Sequence, residues 1–258
     1  MNQSNMSEMK FASIWYFYTK TGIVLDRRTR KGKVALMQSS WDYQRLSEAC
    51  AKEGCILCRL AWEDTQRYLD AWKYEMFTNI SVREELRHSQ GFCKEHTWQL
   101  VQMGASIQLA QAYRDVLSDA KEQLENQRGT QRHRWFNPKQ DRVPCPACRQ
   151  KDGALARLIP TLRQALLEPT FYTQFSASDG LCLNHFRLTC ELKPLDNPEA
   201  WLPLLRQAQA ACLQRLDEQL GELIRKHDYR FKDEARGSEM VSWKKAAGLV
   251  AGEDERVY

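Results

Sequence analysis

The 258-residue chain is poor in chain breakers, with only 12 Gly and 8 Pro. That shortage excludes collagen-like and low-complexity classes, which need those residues in bulk. No apolar run approaches the roughly 20 residues that a membrane-spanning helix requires. The nearest stretch, Phe11 to Tyr18, is followed by Lys20, and only Lys10 precedes it closely. No small-x-small cleavage site follows, so it does not read as a secretory leader. Strand-like alternation bounded by hairpin turns is missing. So are a Gly-rich phosphate loop, a nucleophile motif and a paired-carboxylate constellation, which weighs against an enzyme. The expectation is a cytoplasmic helical protein with no membrane segment.

An excess of positive charge is missing from most of the chain as well. The formal net charge is +5. Residues 1–36 account for all of it, through Lys10, Lys20, Arg27, Arg28, Arg30, Lys31 and Lys33 against Glu8 and Asp26. The remainder is neutral, whereas a phosphate-binding surface needs a basic face on the folded body. A nucleic-acid partner is therefore not expected. A basic cluster at Arg128, Arg132, Arg134 and Lys139 reads as a solvated linker. A cleaner helical pattern starts only after Met37, at Ser39-Ser40-Trp41-Asp42-Tyr43. Translation is thus expected to start at Met37, with residues 1–36 a poorly ordered upstream extension. The intact mass of the native gene product decides this, and a full-length product rules it out.

What the chain does have is nine cysteines in a pattern. Gly54-Cys55-Ile56-Leu57-Cys58-Arg59 is followed by Gly91-Phe92-Cys93-Lys94-Glu95-His96. Pro144-Cys145-Pro146-Ala147-Cys148-Arg149 is followed by Gly180-Leu181-Cys182-Leu183-Asn184-His185. Each half reads C-x-x-C-R and then G-(F/L)-C-x-x-H. The offset between copies is 90 residues at the first pair and 89 at the second. Repetition at matched spacing points to an internal duplication.

Cysteines at a helix start favour thiolate, because the dipole and the free amide groups there stabilise negative charge. A Cys and a His three apart share one face of a helical turn. Three cysteines and one histidine form a standard structural zinc set with no position left for a catalytic water. The expected ligands are Cys55, Cys58, Cys93 and His96 for one centre, and Cys145, Cys148, Cys182 and His185 for the other, holding two zinc ions. The same soft donors suit two [4Fe–4S] clusters as the alternative. The roughly 35 residues between the pairs suffice for a helical hairpin that closes each site within its own half. The crossed arrangement, Cys55 and Cys58 with Cys182 and His185, stays open. A thioredoxin-type redox pair would want a βαβ context, which is missing. Of the other cysteines, Cys212 and Cys190 read as core, and Cys50 reads as no ligand. His227 beside Asp228 reads as a helix end.

Apolar residues recur at helical spacing along Leu57, Leu60, Ala61, Tyr68, Trp72 and Met76. They do so again along Met103, Ile107, Ala110, Tyr113, Leu117, Ala120 and Leu124, and along Trp201, Leu205, Ala208, Cys212, Leu216, Leu220 and Leu223. The fold is expected to be all-α, with two pseudo-equivalent lobes each stapled by a Cys3His site. The organisation would be an extension over 1–36, a first repeat over 37–127, a linker over 128–144, a second repeat over 145–228 and a C-terminal segment over 229–258 with one short helix. The expected role of such a protein is that of a scaffold or interaction module whose partner is another protein.

The combined motifs resemble an uncharacterised bacterial family, domain of unknown function 6062. They are Cys55–Leu60, Gly91–Leu100, Cys145–Cys148, Gly180–His185, Lys226-His227-Asp228-Tyr229-Arg230-Phe231 and Ser242-Trp243, spread over roughly residues 40–252. Ile56 departs from the pattern, where proline is expected, but the ligands are intact. The resemblance implies the fold and the sites and names no reaction.

Overall fold

The computed structural model describes residues 41–125, 143–231 and 233–253. The readings of residues 1–36, of translation from Met37 and of the basic cluster over 128–139 fall outside the described residues. Among those described, every regular element is helical. A first helix, α1, covers 41–50. The next four are α2 (Ile56–Ala71, extended by a π-helical turn over Trp72–Met76), α3 (Ile80–His88), α4 (Lys94–Gln102) and α5 (Ser106–Glu125). The chain resumes with α6 (Pro146–Ala165), α7 (Pro169–Ala177), α8 (Leu183–Glu191) and α9 (Pro198–Lys226). Two 3-10 turns, Tyr229–Phe231 and Ser238–Val241, lead to α10 (Ser242–Ala251).

The axis of the fold is the antiparallel pair α2 and α6, and the burial pattern fixes their direction. Leu57 and Leu60, near the start of α2, share one core with Leu158, Ile159 and Leu162 from the far half of α6. Leu69 and Trp72, at the other end of α2, share a second core with Cys145 and Ala147 at the start of α6. Further helices complete each core, the first also taking Leu46, Ala49 and Cys50 from α1. Trp201, Leu205 and Ala208 of α9 and Phe171 and Phe175 of α7 fill the first. Leu86, Leu100, Leu109 and Ala112 of α3, α4 and α5 fill the second.

At the waist of the α2–α6 pair, Arg157 donates to Asp42 at 2.7 Å and to Asp64 at 2.8 Å. Arg45 reaches Asp64 at 2.8 Å and Glu63 at 3.2 Å. Asp42 is fully buried and cannot turn to water instead, so this network ties α1 to α2 and α6. Arg163, also buried, gathers the carbonyls of Thr189, Leu192 and Pro194 and stacks on Trp201 at 4.8 Å. It thereby satisfies the carbonyls at the C-terminal end of α8, which have no partner within the helix.

The helical stripes are only partly where the sequence puts them. Leu57, Leu60, Ala61 and Trp72 are buried, as are Trp201, Leu205, Ala208, Cys212 and Leu223. On α5 the chosen stripe faces outward instead. Ile107, Leu117 and Leu124 are exposed, while Leu109, Ala112 and Val116 are buried. Helix α5 carries apolar residues on two faces, and the face with Leu109 and Ala112 is the one packed into the second core. Arg83 bonds Asp115 and Arg87 bonds Asp119, ion pairs between α3 and α5 that accompany this packing.

Candidate metal centres

All four motifs take one local form. The first cysteine of each is the N-cap of a helix: Cys55 of α2, Cys93 of α4, Cys145 of α6 and Cys182 of α8. The second ligand follows at the third helical position, as Cys58, His96, Cys148 and His185. N-cap and third position face each other at a helix start, the geometry that side-chain caps use. Cys182 Sγ takes that role directly, accepting the His185 backbone N–H at 3.4 Å. Pro146 suits the first position of α6, where no N–H is needed.

These pairs converge into two sets of four, and the sets are crossed. Cys55, Cys58, Cys182 and His185 form one, and Cys93, His96, Cys145 and Cys148 the other, with all donor atoms of a set within 4.8 Å of one another. The pairing is nested along the chain, an outer centre enclosing an inner one. Closure of each site within its own half is therefore corrected. The physical reason is unequal arms. From Cys58 the chain runs outward through α2 and its π turn, about 27 Å at 1.5 Å per residue. It returns along α3, nine residues long, or about 13 Å. Cys93 is thus left at the far end, where the antiparallel α6 begins. The second half repeats this with the 20-residue α6 and the nine-residue α7, leaving Cys182 beside the start of α2.

The donors are spaced for one ion. In the outer set His185 Nδ1 lies 3.5, 3.3 and 3.3 Å from the sulfurs of Cys55, Cys58 and Cys182, and the Cys58 and Cys182 sulfurs are 3.8 Å apart. In the inner set His96 Nδ1 lies 3.0, 3.6 and 3.5 Å from Cys93, Cys145 and Cys148, with Cys148 and Cys93 3.8 Å apart. Tetrahedral bonds of about 2.3 Å to sulfur and about 2.0 Å to nitrogen space sulfurs about 3.8 Å apart and place nitrogen about 3.5 Å from sulfur. Each set therefore has the donors and the spacing to hold a metal ion. Cys55, Cys182, Cys145 and His96 are buried, and the other four ligands are half-buried. Two helix N-termini point into each centre. Three thiolates around a divalent ion leave about −1, which two N-terminal dipoles of about +0.5 each offset.

Without an ion the outer set shares its protons unevenly. The Cys55 and Cys58 thiols donate to Cys182 and hold its sulfur far below the ordinary thiol range. Burial pushes the Cys55 thiol up. Burial would lower His185, but Cys182 and Cys58 beside it lift the imidazole to about 9. A bound metal requires every proton on the donor sulfurs and the proton on His185 Nδ1 to leave. Binding at neutral pH is therefore expected to release protons, with affinity rising as pH rises toward 9. Calorimetry in buffers of different ionisation enthalpy measures the release; an enthalpy independent of buffer contradicts it.

The glycine ahead of each Cys-x-x-His turns the chain into the site. Gly180 sits at φ 74°, and an added Cβ would lie 2.9 Å from Gln209 Oε1 and 3.2 Å from Cys212 Sγ. That Gln209 clamps Leu181 by both its N–H (3.0 Å) and its C=O (2.9 Å). Gly180→Ala is expected to cost about 2 kcal/mol through the left-handed backbone alone. Chemical denaturation measures it, and an unchanged midpoint refutes the tight fit.

None of the remaining cysteines joins a set. Cys50 and Cys212 are buried and Cys190 is half-buried against the first core. His227 is the C-cap residue of α9. Beside it, Lys226 donates to Glu239 at 2.9 Å and to the Ala235 carbonyl at 2.6 Å, and Arg225 lies over the Phe231 ring at 4.4 Å. The Lys226–Phe231 motif thus terminates α9 and docks the tail. The signal that sequence reasoning lacked is the outer support of the sites, Gln209 and the α10 side chains, which belong to no cysteine motif.

No curated protein and no solved structure matches the chain. The model of a family of unknown function, DUF6062, matches residues 37–255. That span contains all eight ligands, both 3-10 turns and α10, so the match covers the whole crossed arrangement. On that extent, the chain is a member of the DUF6062 family.

Proposed function

We propose that the protein is a zinc-stabilised helical scaffold, in which two zinc ions fix a surface that binds another protein. The observation that carries the zinc reading is the donor spacing, 3.8 Å between sulfurs and 3.3 to 3.5 Å from sulfur to nitrogen in the outer set. A [4Fe–4S] cluster binds its four ligands on four different irons and so spreads them farther apart than one ion does. With all four positions filled by side chains, each ion serves structure, because a catalytic zinc keeps a position open for water. The duplicated motifs and the matching order of α2–α5 and α6–α9 agree with descent from one repeated unit. Nine free thiols fit a reducing compartment, here the cytoplasm. No described helix is long and apolar enough to cross a membrane.

The interaction surface is read from α4 and α5. Trp98 is 59% exposed and Ile107 64%, beside a shallow groove lined by Val101, Leu109, Ala110 and Tyr113. Exposed aromatic and aliphatic residues grouped in this way mark protein contacts more often than they do ordinary surface. Elemental analysis after anaerobic purification tests the reading. Two zinc ions per chain in a colourless protein are expected; iron and sulfide with absorbance near 400 nm would replace it with an electron-transfer reading.

A further inference from the structure

The two centres are built alike, but their surroundings differ. A cavity of about 60 Å³ opens against the outer centre, with Cys55 and Cys182 in its wall. That is room for several waters. Its other walls include Asp179, Lys245, Leu249 and Glu253, the last three from α10 and the residues just after it. None of the inner ligands lines this cavity.

The C-terminal segment is fastened over that cavity by polar contacts to both ligand loops. Lys245 of α10 bridges Glu53 at 3.4 Å and Asp179 at 3.3 Å. Asp179 in turn accepts the Gly54 N–H at 2.8 Å. The Glu253 carboxylate folds back into the wall of the same cavity as Cys55. It lies so close along α10 that a Cβ on Gly248 would sit 2.5 Å from its Oε1. Ser242, at the head of the helix, is fully buried, which anchors the cover at its start.

We propose that the segment from α10 to Glu253 is a cover that controls metal exchange at the outer centre, leaving the inner centre exchanging independently of it. This rests on the zinc reading of the two sets. A metal can leave only as water or a competing ligand reaches the sulfurs it abandons. At the outer centre the solvent-side approach to Cys55 and Cys182 runs through a cavity that α10 closes. Loosening the cover exposes that path without altering a ligand.

Two substitutions loosen it in different ways. Lys245→Ala removes the bridge to Glu53 and Asp179. Gly248→Ala displaces the Glu253 carboxylate, although alanine is the better helix former and should strengthen α10 itself. The experiment follows zinc transfer from the full-length, two-zinc protein to a chromophoric chelator, with cadmium-113 NMR of the cadmium-loaded protein reporting each centre separately. One of the two release phases is expected to quicken about two- to fivefold in each variant, the factor one partly exposed ion pair is worth. The cadmium signal lost first should be that of the outer centre. Equal rates in the variants and the parent overturn the cover, as does equal acceleration of both phases. A parent chain that binds neither zinc nor cadmium overturns the zinc reading, a failure distinguishable from the first two. Should Gly248→Ala fold poorly, Lys245→Ala decides by the same readout.

Discussion

On the proposed zinc reading, replacing Cys58 by serine is expected to leave one zinc per chain instead of two, the lost ion being the one assigned to the set with Cys55, Cys182 and His185. The inner ion, held by Cys93, His96, Cys145 and Cys148, is expected to stay. The effect on stability should be large. The outer centre joins the start of α2 to the start of α8 across a separation of 124 residues. Closing so long a loop by a strong bond removes much of the freedom of the unfolded chain. Structural zinc binds with about 10–16 kcal/mol of apparent free energy, which exceeds much of the 5–15 kcal/mol that a domain has in total. A fall in Tm of at least about 10 °C is expected, since each kcal/mol is worth about 2–4 °C at this size.

The crossed pairing gives this prediction a sharper form. Cys58→Ser and His185→Ala should behave as one lesion, the double variant being little worse than either single one. Cys58→Ser and Cys93→Ser should add, because they empty different centres. If the sites instead closed within each half, the coupling would be reversed, with Cys58 and Cys93 acting as one. Metal content and melting of the three single and two double variants distinguish the two outcomes.

Arg157→Ala is the second substitution with a large expected effect, at a point far from any metal ligand. Arg157 donates to the fully buried Asp42 carboxylate at 2.7 Å, whereas Arg45 stands 3.9 Å away. Removing one member of a buried pair leaves an uncompensated charge, which costs about 3–5 kcal/mol. Arg157 itself is about one-third exposed, so a cost of about 3–4 kcal/mol and a Tm lower by about 6–15 °C are expected. The same network sets an acid limit. Burial alone would raise Asp64, but Arg45, Arg67 and Arg157 around it hold its carboxyl below the usual carboxylate range. A carboxyl lowered on folding stabilises above its unfolded value, near 3.9, and loses that contribution as pH falls through its folded value. The parent should therefore lose stability more steeply below pH about 4 than Arg157→Ala does, because the variant's Asp64 keeps fewer cationic neighbours. Parallel acid-unfolding slopes would contradict this role.

The candidate donor residues and the helical class are legible because they depend on short-range chemistry. A cysteine at the N-cap and a ligand three residues later make a local pattern, and it occurs four times from Cys55 to His185. The pairing of those motifs depends on helix lengths and on the direction of α6 against α2. Neither is visible in motif spacing, because 35 residues divide into a long arm and a short one rather than two equal ones. The inward face of α5 was misread for a related reason. Ile107 and Leu117 recur at helical spacing just as Leu109 and Val116 do, and the face that packs with Leu86 and Leu100 is set by tertiary contacts that the period does not carry. The network of Asp42, Arg45, Asp64 and Arg157 was not anticipated either. Charged residues that far apart in sequence carry no local signal of burial. Lys245 and Glu253 are hidden in the same way, since nothing near them in the chain marks a metal site.

Diffraction from a crystal of the protein as purified, recorded on both sides of the zinc absorption edge, tests the central claim most directly. Two anomalous peaks are expected, one within bonding distance of Cys58, Cys182 and His185 Nδ1, the other within bonding distance of Cys93, Cys148 and His96 Nδ1. Peaks that instead join Cys58 with Cys93, or no peak at either set, would contradict the account.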